Sequence, residues 1–440
     1  MKLQKYFPRR ERLERELFEI ISVDALQVLD SRGDPTIEVV VNTRGGSGRA
    51  IAPAGASRGT HEAFELRDND PRIFRGKSVY RAVENVKRLI EPVLRGLDSR
   101  EQRHIDNTLI KLDGTPNKSR LGGNTTTATS LAVLKAAADT YRMPLFRYIG
   151  GLRARTLPIP MMNIINGGAH AGNNLSFQEF MIVPVKFGKF SDALRAGVEI
   201  YKTLKDILKS RYGAQAINIG DEGGYAPPLS RVEDALKILA EAINRSGYSF
   251  AEEVYISIDA AASQFYVKER DKYLVDGREI SPEELLDLYL RLADEYKLLS
   301  IEDPFYEEDF ENFSKLTNSL KKTRVVGDDH LTTNIERLKR SIEKKSVSSV
   351  LVKINQIGTF SETQDFVKLS KEHGLFVIIS HRSGDTEDNA IAHLAVGLDS
   401  EFIKTGAPAR SERTSKYNEL LRIEHYLEDD NIFAGSLLKI

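Results

Sequence analysis

Three carboxylates and two lysines stand at the ends of successive short apolar runs in the second half of the chain. The carboxylates are Asp259, Glu302 and Asp328, at the ends of YISID, LLSIED and VVGDD, and the lysines are Lys353 and Lys404, in VLVKIN and EFIKTG. Carboxylates without Cys or His ligands favour Mg²⁺ over zinc. An ammonium near a divalent metal and another ammonium loses its proton more easily. The five residues therefore predict a metal site that faces a lysine base.

Each of these groups also has an ordinary structural explanation. An isolated acid after a strand is usually a helix N-cap or part of a surface turn, and a lysine at a strand end usually reaches water along its stem. Three acids in three successive units weaken the first explanation. Lysines inside apolar runs weaken the second, because burying an ammonium is costly. Such a lysine suits removal of a proton next to a carboxylate whose charge a metal neutralises.

Loops supply further candidate groups. The Gly-rich loop NGGAHAG carries His170, and GDEGGYAPP carries Glu222; a single polar residue in such a loop is often structural, since glycine mainly permits tight turns. SHRSGDTED places Arg382 and Ser383 before a predicted helix start, a combination that suits a phosphate group. The small-residue loop APAGASRGT contains Ser57, which we expect to reach into a site as part of a lid.

A β/α barrel would bring the strand-end groups together. It places the C-terminal ends of its strands around one mouth and uses about 30 residues for each unit. With FVIISHRSG, whose apolar part ends at His381, there are six such apolar runs, and four of the five intervals between them are close to that length. The first interval is longer, and KERDKYLVDGREISPEE predicts a hairpin within it. Apolar residues at helical spacing fill the later gaps, as a barrel requires.

The first part of the chain predicts a smaller α+β domain, because strand patterns come first and helical patterns follow. Three strands of a meander are expected at about Ser22–Leu29, Pro35–Val41 and Gly48–Ala52. A helical segment from Val79 is expected to be closed by Pro92 and Gly96, and another helix runs from about Thr126 to Tyr141. We therefore predict an α/β protein with an N-terminal arm at 1–20, an α+β domain at 21–152 and a TIM-like barrel at 153–440.

Composition narrows the classes of partner. The 440 residues contain 63 Lys+Arg and 64 Asp+Glu, a formal net charge of −1, so we expect neither nucleic acid nor an anionic membrane as partner. There is no cysteine, which excludes a disulfide framework and a thiolate zinc site and is compatible with a reducing cytosol. No run approaches the roughly 20 apolar residues of a membrane span. The basic arm has no apolar signal core, and we expect it to be amphipathic.

The motifs around these residues resemble those of the enolase family. Its most specific stretches are similar to SHRSGDTED and IKTGAPARSER, and LVKINQIGT, SIEDPF, GDEGG and NGGAHAG agree in the same order, from about Ile21 to the C-terminus. The resemblance implies a carbon–oxygen lyase of glycolysis and gluconeogenesis that reversibly dehydrates 2-phosphoglycerate to phosphoenolpyruvate. It implies a cytoplasmic homodimer or an octamer of dimers. A secondary presence at the cell surface stays open.

Matched motif by motif, the resemblance implies a role for each site residue. Lys353 would remove the C2 proton, and Glu222 would protonate the departing C3 hydroxyl; the implied catalytic set is Glu222, Lys353, Glu179, His170 and His381. Two Mg²⁺ ions are implied, with Asp259, Glu302, Asp328 and Ser57 as ligands. Arg382 and Ser383 would bind phosphate and Lys404 the carboxylate. The implied substrate contacts are His170, Gln178, Glu179, Glu302, Asp328, Lys353, Arg382, Ser383 and Lys404.

The chain departs from the family pattern in the lid, and two other functions stay open. The loop that usually reads SGAST is AGASR here, so Ala54 replaces a serine and Arg58 adds a charge, while Ser57 remains. One alternative is a related lyase or racemase acting on another carboxylic acid; Arg382 and Ser383 argue against it, because they suit a phosphorylated substrate. The other is an enolase-fold protein with a non-catalytic binding role. Such a protein would be free to lose Lys353 or a metal acid, and it has lost neither.

Overall fold

The computed structural model describes residues 15–55 and 59–438 and divides the chain into two compact units. The first unit comprises the residues up to Ala54, Glu62–Gly151 and Ile354–Gln364, and the second comprises Gly55–His61, Leu152–Lys353 and Asp365–Ile440. Most of the predicted arm lies outside the described residues, as do Ser57 and Arg58. Among the described helices, none combines the length and the apolar character that crossing a bilayer requires.

The first unit contains the predicted meander. Strands β1 (Ile20–Leu29), β2 (Pro35–Thr43) and β3 (Ser47–Ile51) pair antiparallel in that order. The helix Gly123–Thr140, rich in alanine, packs on β2 and β3. A Cβ atom at Gly48 would lie 2.0 Å from the carbonyl oxygen of Ala132. Only glycine therefore lets β3 approach the helix backbone this closely.

The helical run after the meander is present but interrupted. The helices of the first unit are Tyr80–Asn85, a π-helical turn Val86–Ile90, Glu91–Leu94, Gln102–Asp113, Gly123–Thr140, Leu145–Gly150 and Ile354–Ile357. The run ends where Pro92 and Gly96 were expected to close it, because Leu94 is its last helical residue and Gly96 has a φ of +85°. Pro92 lies in the last helical turn, directly after the π-helical turn, and the backbone stays helical across that junction.

The second unit contains a closed barrel of eight strands, which confirms the predicted α/β fold. Its barrel strands follow one another as β11–β12–β13–β14–β15–β5–β6–β7. In chain order the strands of this unit are β4 (Thr156–Leu157), β5 (Ile159–Asn166), β6 (Glu179–Pro184), β7 (Val254–Asp259), β8 (Tyr266–Val267), β9 (Lys272–Val275), β10 (Arg278–Ile280), β11 (Ser300–Glu302), β12 (Arg324–Gly327), β13 (Ser349–Val352), β14 (Phe376–Ser380), β15 (Phe402–Lys404) and β16 (Ile432–Phe433). Strands β8–β10 form the predicted hairpin region, and β4 pairs with β16.

Strand β6 differs from the simple β/α pattern. It runs antiparallel to both β5 and β7, whereas the other six neighbouring pairs of barrel strands run parallel. As a result β6 begins at the end of the barrel where its neighbours finish. Its first residue, Glu179, lies opposite Asn166 of β5 and Asp259 of β7. The reversal therefore brings a carboxylate to the mouth from the start of a strand.

Helices connect the barrel strands as the periodicity predicts. They are Phe190–Tyr212, Val232–Arg245, Pro282–Glu295, Phe310–Ser319, Ile335–Lys344, Phe360–Glu372, Ala390–Gly397 and Ser411–Leu427. Local capping explains where two of them begin. Ser281 and Glu284 form a capping box, and the Asn334 side chain accepts hydrogen bonds from two N–H groups of the next helix, which satisfies donors that otherwise lack partners.

Candidate active site

The carboxylates of three barrel strands meet the ammonium of a fourth. Asp259 and Glu302 end β7 and β11 and lie opposite one another in register. Lys404, the last residue of β15, places its Nζ 3.0 Å from Glu179 Oε2, 3.1 Å from Asp259 Oδ2 and 2.8 Å from Glu302 Oε1. All four side chains are buried. One ammonium therefore links three carboxylates at the mouth.

Burial and charge act on this group in opposite directions. Burial raises the pKa of Glu302 well above its ordinary value, and the charge of Asp259 raises it further although Lys404 opposes the change. Burial alone would lower the pKa of Lys404, but Asp259, Glu179 and Glu302 together hold it well above its ordinary value. Lys404 is therefore a fixed positive charge.

A second ion pair, between Lys353 and Asp328, lies at the ends of the next two strands after β11, which are β12 and β13. Lys353 directly follows β13 and Asp328 directly follows β12, and Lys353 Nζ lies 2.5 Å from Asp328 Oδ2. Burial alone would raise the pKa of Asp328, but the positive charges of Lys353 and Lys404 lower it below its ordinary value. Burial likewise opposes the Lys353 ammonium, but the charge of Asp328 leaves its pKa raised. Lys353 is thus held as an ammonium while Asp328 is its partner.

Strand β5 and the loops after β5 and β14 place three polar groups around Glu222. Asn163 Nδ2 donates to Glu222 Oε2 at 3.0 Å, and His381 Nε2 lies 3.4 Å from the same oxygen. His170 Nδ1 lies 3.7 Å from Glu222 Oε1 and 3.7 Å from Glu179 Oε1. All five side chains are buried. The loop of Glu222 passes close to β5, since a Cβ atom at Gly224 would lie 2.1 Å from Asn166 Oδ1.

Electrostatics separates the two glutamates at this site. Burial raises the pKa of Glu179 well above its ordinary value, and the charge of Glu222 adds to the effect. Burial alone would raise the pKa of Glu222, but His381 and His170 hold it well below its ordinary value. Burial lowers the pKa of His170 and lowers that of His381 to about 4. The neutral form is thus favoured for both imidazoles, and of the two carboxyl groups beside them Glu179 holds a proton more readily than Glu222.

One cavity gathers most of the predicted site residues. Ten of them line it: His170, Gln178, Glu179, Glu222, Asp259, Lys353, His381, Arg382, Ser383 and Lys404. Glu302 and Asp328 join them through their ion pairs with Lys404 and Lys353. Gln178 lies near Asp259 and its Oε1 accepts a hydrogen bond from Gln264 at 2.6 Å. Ser57 lies outside the described residues, so its position relative to the cavity stays a prediction.

The donor set at the mouth fits a hard divalent cation. Asp259 and Glu302 are the last residues of the neighbouring strands β7 and β11, and Asp328 directly follows β12, the next strand. All three are buried, and carboxylate oxygens are the ligands that Mg²⁺ prefers. Within the described residues, two groups bring ligand atoms within 4.8 Å of one another: His170 with Glu179 and Glu222, and Asp303 with Asp328 and Asp329. The Asp303 oxygens already accept the backbone N–H groups of Asp328 and Asp329. Asp303 thus orients Asp328.

Two buried residues in this site were not predicted. Asn163, on β5, donates to Glu222; it is a polar residue inside an apolar run, the same signal that identified Lys353 and Lys404. Arg413, on the helix Ser411–Leu427, donates to His381 and to the backbone of Arg382 and Ser383. It lies in the stretch IKTGAPARSER, but no sequence pattern indicates its distance from His381.

Comparisons with known proteins agree with this geometry. The chain matches the family model "Enolase, N-terminal domain" over residues 20–149 and "Enolase, C-terminal TIM barrel domain" over residues 154–439. It is 54% identical over 413 residues to a protein of Methanocaldococcus jannaschii named Enolase, covering 94% of this chain and 96% of that relative. Relatives of the same name from Aeropyrum pernix and Pyrococcus furiosus are 53% and 51% identical, over 96% and 95% of this chain and 98% and 97% of their own lengths. The resemblance in the motifs is confirmed, and the chain belongs to the enolase family.

Proposed function

We propose that this member of the enolase family acts as a phosphopyruvate hydratase, a carbon–oxygen lyase that reversibly dehydrates 2-phosphoglycerate to phosphoenolpyruvate. One observation carries the assignment of roles. Lys353 and the Glu179–Glu222 pair line one cavity together with Arg382, and each comes from a different strand or loop of the barrel. A base, an acid and a phosphate-binding cation therefore face the same space, as elimination of water from a phosphorylated acid requires.

Lys353 is the proposed base for the C2 proton. Its ion pair with Asp328 keeps it protonated. Released from that carboxylate, Lys353 would keep its burial and the nearby charges of Arg382 and Lys404, all of which lower its pKa. A lysine with a lowered pKa can accept a proton near neutral pH.

The pair of Glu179 and Glu222 is the proposed source of the proton for the departing C3 hydroxyl. The favoured position of the shared proton is Glu179, since Glu222 is held ionised by its neighbours. We assign delivery to Glu222 because its charge is stabilised once the proton has left: Asn163 donates a hydrogen bond to it at 3.0 Å, and His381 Nε2 lies 3.4 Å away. In the reverse direction the same carboxylate takes a proton from water.

The remaining groups bind and orient the substrate. Arg382 and Ser383 follow β14 and are buried at the cavity wall, where they suit the phosphate group. Lys404 keeps its charge and suits the substrate carboxylate. His170 and Gln178 complete the wall. Two cations, Arg382 and Lys404, thus oppose the charges of a phosphorylated acid.

Asp259, Glu302 and Asp328 are the proposed ligands of one Mg²⁺, and Ser57 would serve a second. When bound, Mg²⁺ would supply positive charge for the substrate carboxylate as negative charge develops on it. Asp328 would then exchange its lysine partner for the metal. The three acids cannot all stay ionised and uncompensated in a buried site, which gives them a reason to bind a cation.

We further propose the cellular and structural setting that the family implies. The protein would work in the cytoplasm as a homodimer or as an octamer of dimers, with an arm at 1–20, a domain at 21–152 and a barrel domain at 153–440. Measuring the mass of the native assembly by light scattering tests the oligomer. On the described residues, no observation favours a non-catalytic role or a different carboxylic acid.

The direct test is turnover with defined metal. The purified chain with 2-phosphoglycerate and Mg²⁺ should form phosphoenolpyruvate, EDTA should stop the reaction, and excess Mg²⁺ should restore it. Glycerate, which lacks the phosphate, serves as the control and should give no product. Folded, Mg²⁺-loaded protein that leaves 2-phosphoglycerate unchanged would refute the proposal. Turnover of glycerate at a similar rate would instead favour a related lyase with another substrate.

A further inference from the structure

Arg413 ties together two loops of the active site from outside the cavity. Its side chain is fully buried on the helix Ser411–Leu427. Nη1 donates to His381 Nδ1 and to the carbonyl oxygen of Arg382, both at 2.6 Å. Nη2 donates to the carbonyl oxygens of Ser383 at 2.6 Å and Asp221 at 3.0 Å. One guanidinium therefore connects the loop of His381 with the loop that carries Glu222.

The contact with His381 determines where the imidazole proton can be. A guanidinium donates hydrogen bonds and accepts none, so His381 Nδ1 must offer its lone pair. In a neutral imidazole the other nitrogen then carries the hydrogen. That nitrogen, Nε2, faces Glu222 Oε2 at 3.4 Å. A doubly protonated ring would set an N–H against the N–H of Arg413, so the contact disfavours the imidazolium as well.

We propose that Arg413 is a positioning residue that holds His381 in the Nε2–H tautomer, so that the imidazole donates only toward Glu222. The inference deepens the proposed function and rests on it in one respect, the role of Glu222 at the C3 hydroxyl. Without Arg413, His381 could carry its hydrogen on Nδ1. The Nε2 lone pair would then face the Glu222 carboxylate, and both would be acceptors.

The other charged groups near His381 do not impose this tautomer. Asp385 Oδ2 lies 4.0 Å from His381 Nδ1, which is too far for a hydrogen bond. Asp385 is itself held by Arg413 at 3.5 Å and by Lys416 at 3.1 Å. Glu222 would accept equally from an imidazole or an imidazolium. Arg413 is therefore the neighbour that decides between the two ring nitrogens.

Lys416 provides a matched control from the same helix. It is buried one turn after Arg413 and donates to Asp385 Oδ1 at 3.1 Å and to the carbonyl oxygen of Thr386 at 2.6 Å. It thus supports the same loop with the same sign of charge, while it donates to Asp385, Thr386 and Glu412. A general effect of loosening the loop would appear when either cation is removed.

The wild-type chain tests the tautomer without any measurement of activity. Nitrogen NMR of ¹⁵N-histidine-labelled protein, with the His381 signals identified by their loss in His381→Gln, should show an unprotonated Nδ1 and a protonated Nε2 at pH 7. A protonated Nδ1 or a mixture of tautomers would overturn the inference. If this tautomer is found but 2-phosphoglycerate is not turned over, the proposed function fails and the positioning contact stands.

Two substitutions then test the consequence for chemistry. In Arg413→Gln the amide oxygen can accept from Nδ1, so the second tautomer should appear, and dehydration should fall about 10- to 100-fold relative to exchange of the C2 hydrogen with solvent. Arg413→Lys, again a donor only, should restore the tautomer and most of that ratio. Lys416→Met should leave the His381 signals and the ratio at wild-type values, even if stability falls.

An unchanged tautomer and ratio in Arg413→Gln would contradict the inference, as would the same change in Lys416→Met. If Arg413→Gln does not fold, Arg413→Lys and the wild-type spectrum decide the outcome. A lysine variant with wild-type tautomer and ratio agrees with the inference, and one with a mixed tautomer but a wild-type ratio contradicts it.

Discussion

The two sides of the barrel mouth stabilise their buried carboxylates by different means. On the ammonium side, Asp259, Glu302 and Asp328 are compensated by the charges of Lys404 and Lys353. On the imidazole side, Glu222 accepts a hydrogen bond from the amide of Asn163 and lies beside the imidazoles of His381 and His170, with Arg413 further out. Ion pairs can exchange partners when a ligand brings its own charge, whereas a network of oriented donors is preorganised. We therefore expect substrate and metal to change the ion pairs of the ammonium side and to leave the contacts of the imidazole side unchanged.

The largest effect is expected on the ammonium side, from Lys353→Ala. Loss of the base should lower both C2 exchange and dehydration by about a thousandfold or more. Proton NMR in D₂O measures the exchange, and the absorbance of phosphoenolpyruvate measures the dehydration. Lys353→Arg is the matched control, because arginine keeps the charge beside Asp328 but does not deprotonate; it should be as inactive as the alanine variant. Normal exchange in either variant would assign the base to another residue.

A smaller and more selective effect is expected on the imidazole side, from Glu222→Gln. The amide keeps the shape and an acceptor for Asn163 but cannot transfer the proton. Dehydration should therefore fall about 100- to 1000-fold, while C2 exchange, which depends on Lys353, stays measurable. Glu179→Gln tests the shared proton, since it should impair dehydration in the same selective way. Equal loss of exchange and dehydration in Glu222→Gln would show that the two sides do not act separately.

The two sides also differ in how far the sequence predicted them. The ammonium side follows from one rule, because each charged residue directly follows an apolar run and parallel barrel strands finish at one mouth. The rule does not predict which lysine pairs with which carboxylate. That depends on side-chain distances, such as those from Lys404 to Glu302 and from Lys353 to Asp328, which the sequence does not contain. His170 and Glu222 were credible only through the family motifs.

What could not be predicted depends on contacts between distant parts of the chain. The reversal of β6 places Glu179 at the mouth, and nothing in the periodicity of a strand indicates its direction. Arg413 reaches His381 from the helix Ser411–Leu427, and the helix Ala390–Gly397 and strand β15 lie between them in the chain. The overall α/β fold was predictable because hydrophobic periodicity records burial, whereas hydrogen-bond partners leave no periodic pattern.

Acid should destabilise the protein through the imidazole side. His381 is buried between Glu222, Asp385 and Arg413, and its pKa is about 4, below the ordinary value of about 6.5. The unfolded chain then binds more protons between these values, so stability is present above pH 6.5 and is lost as the pH falls towards 4. Lowering the pH from 7 to 5 should remove about 2 kcal/mol through this residue.

Urea unfolding at pH 7 and pH 5 measures this contribution as a difference between two proteins. The wild-type chain should lose more unfolding free energy than His381→Gln, in which the titrating group is absent and the other acidic groups are unchanged. An equal loss of unfolding free energy in the two proteins would mean that folded His381 binds a proton at pH 5. The assignment of a neutral imidazole beside Glu222 would then be wrong.

The smallest effect is expected from Asn163→Ala, which removes one donor from Glu222. The hydrogen bond from Asn163 Nδ2 is 3.0 Å long, and Asn163 Oδ1 has no hydrogen-bond partner, so little else is lost. A hydrogen bond to a charged group contributes about 1.5–3 kcal/mol, and His381 and His170 remain to share the charge. We therefore expect dehydration to fall about tenfold, with C2 exchange close to wild type.

Ser300→Ala is the control for this substitution. It removes a buried side-chain hydrogen bond of 2.9 Å between β11 and Ser257 of β7, which lies in the same barrel but involves no acid–base group. The ratio of dehydration to exchange should stay at the wild-type value in Ser300→Ala and fall in Asn163→Ala. If both substitutions lower the ratio, a loosened barrel rather than the loss of a donor explains the effect, and the imidazole side would be no more preorganised than the ammonium side.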